Sequence, residues 1–134
     1  MVVIAAVSDA EPDVQIIREA AALAAAFDDE LHAVHVRTYD SLSDEEESQT
    51  DETIKERTAA VAADAIADVD VPAVAVGRIG QPAAELLEYV SAVETRYIVI
   101  GGQKRSPVGK ALFGSTTQQV LLGANHPVLT VMGE

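Results

Sequence analysis

The 134-residue sequence contains no cysteine and no tryptophan, and its aromatic residues are few, three Tyr and two Phe. The missing thiols exclude disulfides, thiolate metal sites and a cysteine nucleophile. Positive charge is scarce as well: nine Lys and Arg, only three of them Lys, stand against 22 Asp and Glu, for a net charge of −13. A chain this negative is a poor partner for nucleic acid, whose phosphates need a basic surface. No apolar run is long enough to span a bilayer, and Met1 to Asp9 (MVVIAAVSD) has neither the basic lead nor the small-residue cleavage site of an export signal. A cytoplasmic protein with no membrane or nucleic-acid partner is expected. The acidity, the few aromatics and the abundant alanine also suit a salt-adapted, halophilic cytoplasm, where high ionic strength screens self-repulsion.

What is present is the material for one core. Nearly half of the residues are apolar, and the length is that of one domain, taken here as residues 1–134. The continuous apolar run Val2 to Val7 reads as a strand buried on both faces. Pro12 suits the first turn of a helix carrying Ile16, Ile17, Ala20, Leu23, Ala24 and Phe27 at helical spacing. Leu31 to Arg37 is the next strand. The acidic stretch Ser41 to Thr53 reads as a mobile, solvated loop leading into a helix with Ile54, Val61, Ala62, Ala65 and Ile66 on one face. Strands at Val71 to Val76, Tyr97 to Ile100 and Pro127 to Met132 complete the pattern, with helices opening at Pro82 and near Ser115. Strands alternating with helices predict an α/β fold, a mostly parallel sheet with helices on both faces.

Charge is distributed unevenly. Residues 1–70 hold 18 acids and four bases, whereas residues 71–134 hold four acids and five bases. The segment 101–116 (GGQKRSPVGKALFGST) has no carboxylate, four glycines and the cations Lys104, Arg105 and Lys110. It follows a strand and leads to a helix, and Ser115 with Gln118 has capping-box spacing, with Ser115 as N-cap. Ligands of parallel sheets bind beyond the carboxyl ends of the strands, where a helix N-terminus offers unpaired amides and the positive end of its dipole to an anion. A phosphate fits that description. The segment is not the common phosphate loop, since Ala111 follows Gly109-Lys110, and no G-x-G-x-x-G fingerprint occurs.

Gly101-x-x-Lys104, nine residues, Gly114-Ser115, then Gln119-Val120-Leu121 and Asn125-His126-Pro127-Val128 resembles the universal stress protein family's Gly-x-x-Gly, nine residues, Gly-Ser/Thr signature and closing strand. The likeness runs from Val2 to Val131, with further landmarks in Glu11-Pro12, His35-Val36 and Gly80-x-Pro82. It implies five parallel strands in the order 3-2-1-4-5, an adenine nucleotide alpha hydrolase-like fold, and a homodimer paired through the last strand. In nucleotide-binding members, ATP or AMP lies across the strand ends. Carried over, Val36 would meet adenine through its backbone at the end of the second strand, and Ser8 and Asp9 would lie near base and ribose. Ile100, Gly101, Gly114, Ser115 and Thr116 would surround the phosphates, with Lys104 and Arg105 adding charge and Mg accompanying the nucleotide. Two positions depart from the pattern. Lys104 replaces a glycine, and either supplies charge to a phosphate or closes the pocket; Ser8 stands where the family commonly has Asp, with Asp9 next.

Each residue also has a purely structural reading. Gly101 and Gly102 can simply end a strand, Gly114 can admit the chain to a helix that Ser115 caps, and the three cations can be solvated charges. No metal site is expected. His32 and His35 face opposite sides of a strand, His126 precedes a proline elsewhere, and the clusters Asp28 to Glu30 and Asp44 to Glu47 read as solvated charge. No nucleophile elbow or general base accompanies the glycine segment, so no catalytic residue is assigned. The resemblance implies a non-enzymatic stress-response protein, a regulatory or protective dimer with an adenine nucleotide and an unknown protein partner. The alternatives are a nucleotide-free dimeric adaptor and a slow ATP hydrolase.

Overall fold

Six apolar residues in a row form β1 (Val2–Val7), the middle strand of a five-stranded parallel sheet of order β3-β2-β1-β4-β5. The structure, a computed structural model, describes residues 1–8, 13–102 and 113–132. Alternation along β1 feeds two cores. Val3, Ala5 and Val7 point to one face, where α1 (Asp13–Phe27) and α3 (Asp51–Ala65) pack; Val2 and Ile4 point to the other, under α4 (Pro82–Ala92) and α5 (Ser115–Gly123).

Helix α1 buries Ile16, Ile17, Ala20 and Ala24, and ends in a Schellman turn. The Asp29 amide donates to the Ala24 carbonyl at 2.8 Å and the Asp28 amide to that of Ala25 at 3.4 Å, with Asp28 in the left-handed region at φ 58°. That turn delivers the chain into β2 (Glu30–Arg37), which pairs with β1 from Val2↔Glu30 to Val7↔His35. The expectation that Asp28 to Glu30 is solvated fails at Asp29. It is only 6% exposed, its Oδ2 accepts from Arg96 Nε at 2.6 Å, and the Met1 amino group lies 3.3 Å from Oδ1. The Arg96 guanidinium holds the Asp29 carboxyl below its ordinary value against the opposing effect of burial.

The acidic stretch after β2 is also structured. A one-turn 3-10 segment spans Tyr39–Ser41, and a short helix, α2 (Asp44–Glu47), follows behind a complete capping box formed by Ser43 and Glu46. Thr50 then caps α3 by accepting from the Thr53 amide. Of the face expected for α3 (Asp51–Ala65), Ile54 and Ala62 are buried and Val61, Ala65 and Ile66 half-buried, the last two against the same core; Thr58, not expected there, is buried as well. Thr58 is admitted to the core because its hydroxyl donates to the Ile54 carbonyl at 2.8 Å, leaving only its methyl to pack.

Strand β3 runs Ala73–Ile79, shifted forward from the expected Val71 to Val76. Its bounds follow its pairing, Leu31↔Ala73 through Arg37↔Ile79, which carries Gly77 and Arg78 into the strand and leaves Pro72 outside it, where its carbonyl accepts from the Leu31 amide. Gly80, at φ 147°, turns the chain into α4, with Pro82 in the first turn as the sequence predicts. Strand β4 (Thr95–Gly101) lies beside β1, and β5 (Val128–Val131) beside β4 on the opposite edge from β3. Among the described residues no helix is long and apolar enough to cross a membrane.

Candidate functional site

The strand order places a topological switch between β1 and β4. The chain leaves β1 for α1 on one face of the sheet and reaches α5 from β4 on the other, so the connections from these two neighbouring strand ends part to opposite faces, the place where parallel sheets bind their ligands. The register Ala5↔Val99 brings Val7 level with Gly101 two residues further along each strand. Ser8, exposed, leaves β1 at this point. Beneath it, His35 Nδ1 lies 3.0 Å from the Val7 carbonyl; a carbonyl only accepts, so the imidazole proton sits on Nδ1. This buried contact fastens the end of β1 to β2. The landmark His35-Val36 gave no hint of it, because it depends on the pairing Val7↔His35.

Ile100 is buried, with its side chain in the core on the α4–α5 face, so only its backbone is available to a ligand. Gly101 lies against α1, where an added Cβ would stand 3.1 Å from Ile16 Cδ1. Its carbonyl accepts from Thr117 Oγ1 at 2.7 Å, which pins the first turn of α5 to the end of β4. Thr117 was not among the expected site residues; an ordinary threonine inside a helix carries no sequence signal for a bond to Gly101.

The N-cap of α5 is Gly114 and not Ser115, so the expected capping box does not form. Ser115 occupies the first helical position, and Gln118 instead donates from its side chain to the Phe113 carbonyl at 3.0 Å. The first backbone bond of the helix runs from the Gln118 amide to the Gly114 carbonyl, so the amides of Ser115, Thr116 and Thr117 precede it. No carboxylate lies in this first turn, in contrast to α3 with Asp51 and Glu52. Ser115 is exposed and Thr116 half-buried. With no capping side chain over it, this helix end keeps its partial positive charge for an anion.

At the end of β2, Val36 is half-buried beside the α4–α5 core and pairs with Arg78. Next to it, Arg37 donates through Nη1 and Nη2 to the two carboxylate oxygens of Glu46, and through Nη2 to the Ser41 carbonyl at 2.9 Å. Glu46 is thus a clamped residue rather than the freely solvated charge expected, and its stretch is not the loose loop expected. The Arg37 guanidinium, seconded by the Ser43 amide, brings the Glu46 carboxyl down to about 2. The sign follows: the clamp contributes fully above the ordinary carboxylate range and is lost as pH falls through about 2. Glu46→Gln is expected to leave the global unfolding transition almost unchanged while speeding limited proteolysis between Thr38 and Ser48 several-fold at pH 7, with cleavage mapped by mass spectrometry.

Of the expected site residues, Ser8, Val36, Ile100, Gly101, Gly114, Ser115 and Thr116 all stand at the carboxyl ends of β1, β2 and β4 or at the start of α5. Asp9, Lys104 and Arg105, together with Lys110 and Glu11-Pro12, lie outside the described residues. His32 and His35 lie on opposite faces of β2, the first against Tyr89 of α4 and the second at Val7. Among the described residues no group of three or more His, Cys, Asp or Glu could hold a metal ion.

Comparison with known proteins gives this arrangement a family. The chain is similar to a universal stress protein of Mycolicibacterium smegmatis, 45% identical over 47 residues, which are 35% of this chain and 36% of that protein. The match therefore spans about a third of the relative's length. Among solved structures, a universal stress protein from Archaeoglobus fulgidus superposes with a TM-score of 0.71 at 25% identity over 96% of each chain. A structure of the universal stress protein from the same organism in complex with dAMP superposes with a TM-score of 0.65 at 21% identity, over 96% of this chain and 94% of that one. The model of the Universal stress protein family matches residues 1–132. The chain belongs to the universal stress protein family.

Proposed function

We propose that this protein is a stress-response protein that binds an adenine nucleotide, ATP or AMP, across the carboxyl ends of β1, β2 and β4. The observation that carries the reading is the first turn of α5, free of carboxylate and tied to Gly101 by Thr117 at the switch point of the sheet. In a family relative of the same fold, dAMP is the bound ligand. In this reading Val36 offers its backbone to adenine, Ser8 and Asp9 approach base and ribose, and Gly101, Gly114, Ser115 and Thr116 surround the phosphates. Lys104 and Arg105 add positive charge, with Mg on the phosphates. No residue is assigned a catalytic role.

The protein is proposed to act in the cytoplasm as a homodimer joined through β5. Among the described residues that strand pairs only with β4, Leu129 on it is exposed, and Leu122 on the adjoining α5 is 88% exposed. Nucleotide occupancy would bias a surface that an unknown partner reads. The acidity of the chain favours a salt-rich setting, so binding belongs in molar KCl. A second reading is favoured by Lys104, which stands where the family signature has glycine: a nucleotide-free dimeric adaptor with a closed pocket. Thermal-shift titrations with ATP, AMP and GTP distinguish the two. A rise in melting temperature with the adenine nucleotides supports the first, and no shift at millimolar concentration supports the second. Phosphate release by the pure protein would move it to slow hydrolysis.

A further inference from the structure

His32 is 8% exposed, in the middle of β2 between Ile4 of β1 and Val74 of β3. Its Nδ1 lies 2.6 Å from the Tyr89 hydroxyl of α4, with the two rings tilted and their centroids 5.9 Å apart. The other ring nitrogen, Nε2, is buried and has no hydrogen-bond partner among the described residues. Neither neutral tautomer cures this. If the phenol donates to Nδ1, Nε2–H is an unmatched donor; if Nδ1–H donates to the phenol, Nε2 is an unmatched acceptor.

The charges around the ring are few. Glu30 lies on the same face of β2, two residues earlier, and is exposed. From β3, Arg78 brings its guanidinium to 5.5 Å from the centroid of the Tyr89 ring. From α4, besides Tyr89, Glu88 is exposed and Glu85 is held against Gly80 near the start of the helix. The neighbour on β1 is the apolar Ile4. A proton added to His32 is therefore favoured by Glu30 and opposed by burial, the larger effect, while the Arg78 guanidinium acts on the Tyr89 ring. Burial accordingly keeps the imidazole below its ordinary value and pushes the Tyr89 phenol up.

We propose that His32 and Tyr89 form an acid-released latch between β2 and α4. With His32 neutral, the pair fastens the helix to the sheet. Protonated, the ring brings a charge into a buried site and is a donor at both nitrogens: the phenol can no longer donate to Nδ1, Nε2–H has no acceptor among the described residues, and α4 loosens its hold on β2 and β3. Since α4 also packs against α5, the release reaches the helix whose first turn meets Gly101. The latch depends on neither a nucleotide nor a partner.

The linkage has a definite sign. A histidine held below its unfolded value of 6.5 contributes stability that is complete above 6.5 and is lost as pH falls from there through the folded value. Urea unfolding of the full chain between pH 8 and 5 tests this, with His32→Gln as the comparison, since the other titrating groups are common to both. Between 6.5 and the folded value, where the unfolded chain's His32 is protonated and the folded one is not, the parent's folding equilibrium constant is expected to fall, relative to the variant, by up to about tenfold per pH unit of acidification. Proton NMR of the His32 Cε1–H in the parent protein, which needs no variant to fold, is expected to show titration below 6.5. Parallel pH–stability curves, or a His32 midpoint at or above 6.5, would overturn the latch.

Discussion

Replacing Gly77 by alanine is expected to destabilise the protein by about 3 kcal/mol, read as a lower urea midpoint with an unchanged slope. Gly77 lies in β3 directly beneath α3. A Cβ built there would stand 2.2 Å from the Lys55 carbonyl oxygen, 2.4 Å from the Ala59 amide nitrogen and 3.0 Å from Ala59 Cα. All three are backbone atoms of a helix, so no rotamer change relieves the contact and α3 must move away from the sheet. The displacement would open the packing of Ala62 with Ala33 and its neighbours, adding cavity to overlap. Gly102 makes the contrast: its added Cβ would meet Met132 Sδ at 2.4 Å, the far part of a flexible side chain, so Gly102→Ala should cost much less. A loss below 1 kcal/mol for Gly77→Ala would mean that α3 is not seated on β3 as described.

Removing the guanidinium at Arg96 is expected to cost about 2 kcal/mol at neutral pH, because it takes from the Asp29 carboxylate its principal partner and leaves it the Met1 ammonium alone. Arg96→Met is the suitable variant, since Arg96 also lies over the Phe27 ring at 4.3 Å and a thioether retains that packing. The pH dependence identifies the cause. In the parent, the depressed Asp29 contributes stability above its ordinary value of 3.8 that is lost as pH falls through its folded value. In Arg96→Met the carboxyl keeps the Met1 ammonium but loses the guanidinium, so it rises relative to the parent and acidification removes the weakened charge sooner. The difference between parent and variant should therefore be greatest near pH 7 and shrink below pH 4. A difference constant from pH 7 to pH 3 would assign the loss to packing instead.

The two residues illustrate what a sequence conceals. The strands were legible because buried parallel strands are written as apolar runs, and the helices because Pro82 and the spacing of Ile16, Ile17, Ala20 and Ala24 are local signals. Strand order came with the resemblance carried by Gly101, Gly114-Ser115 and the closing strand. Asp29 read as surface because its partner Arg96 is 67 residues away, and only the neighbouring ends of β2, β1 and β4 bring them together. Glu46 read as surface because Ser43 and Arg37 are meaningful only once α2 folds back on the end of β2. The N-cap moved from Ser115 to Gly114 by one residue, a distinction that depends on backbone angles, here φ −65° and ψ 162° at Gly114. The end of β3 was missed because Gly77 and Arg78 interrupt the apolar run, while pairing with β2 extends the strand regardless.

The site follows the same division. Glycines and a hydroxyl at fixed spacing pointed to the start of α5, whereas the ties that position it, Thr117 to Gly101 and His35 to Val7, exist only between elements. The central claim is that an adenine nucleotide rests its phosphates on that helix end. Isothermal calorimetry of ATP and AMP in molar KCl, on the parent and on Ser115→Asp, tests it most directly. A carboxylate in the first turn favours the helix dipole while repelling phosphate, so the variant should fold as stably as the parent. Binding to the parent, weakened tenfold or more in Ser115→Asp at undiminished stability, is the expected result. No heat from either nucleotide at millimolar concentration, or equal affinity in the two proteins, would contradict the account.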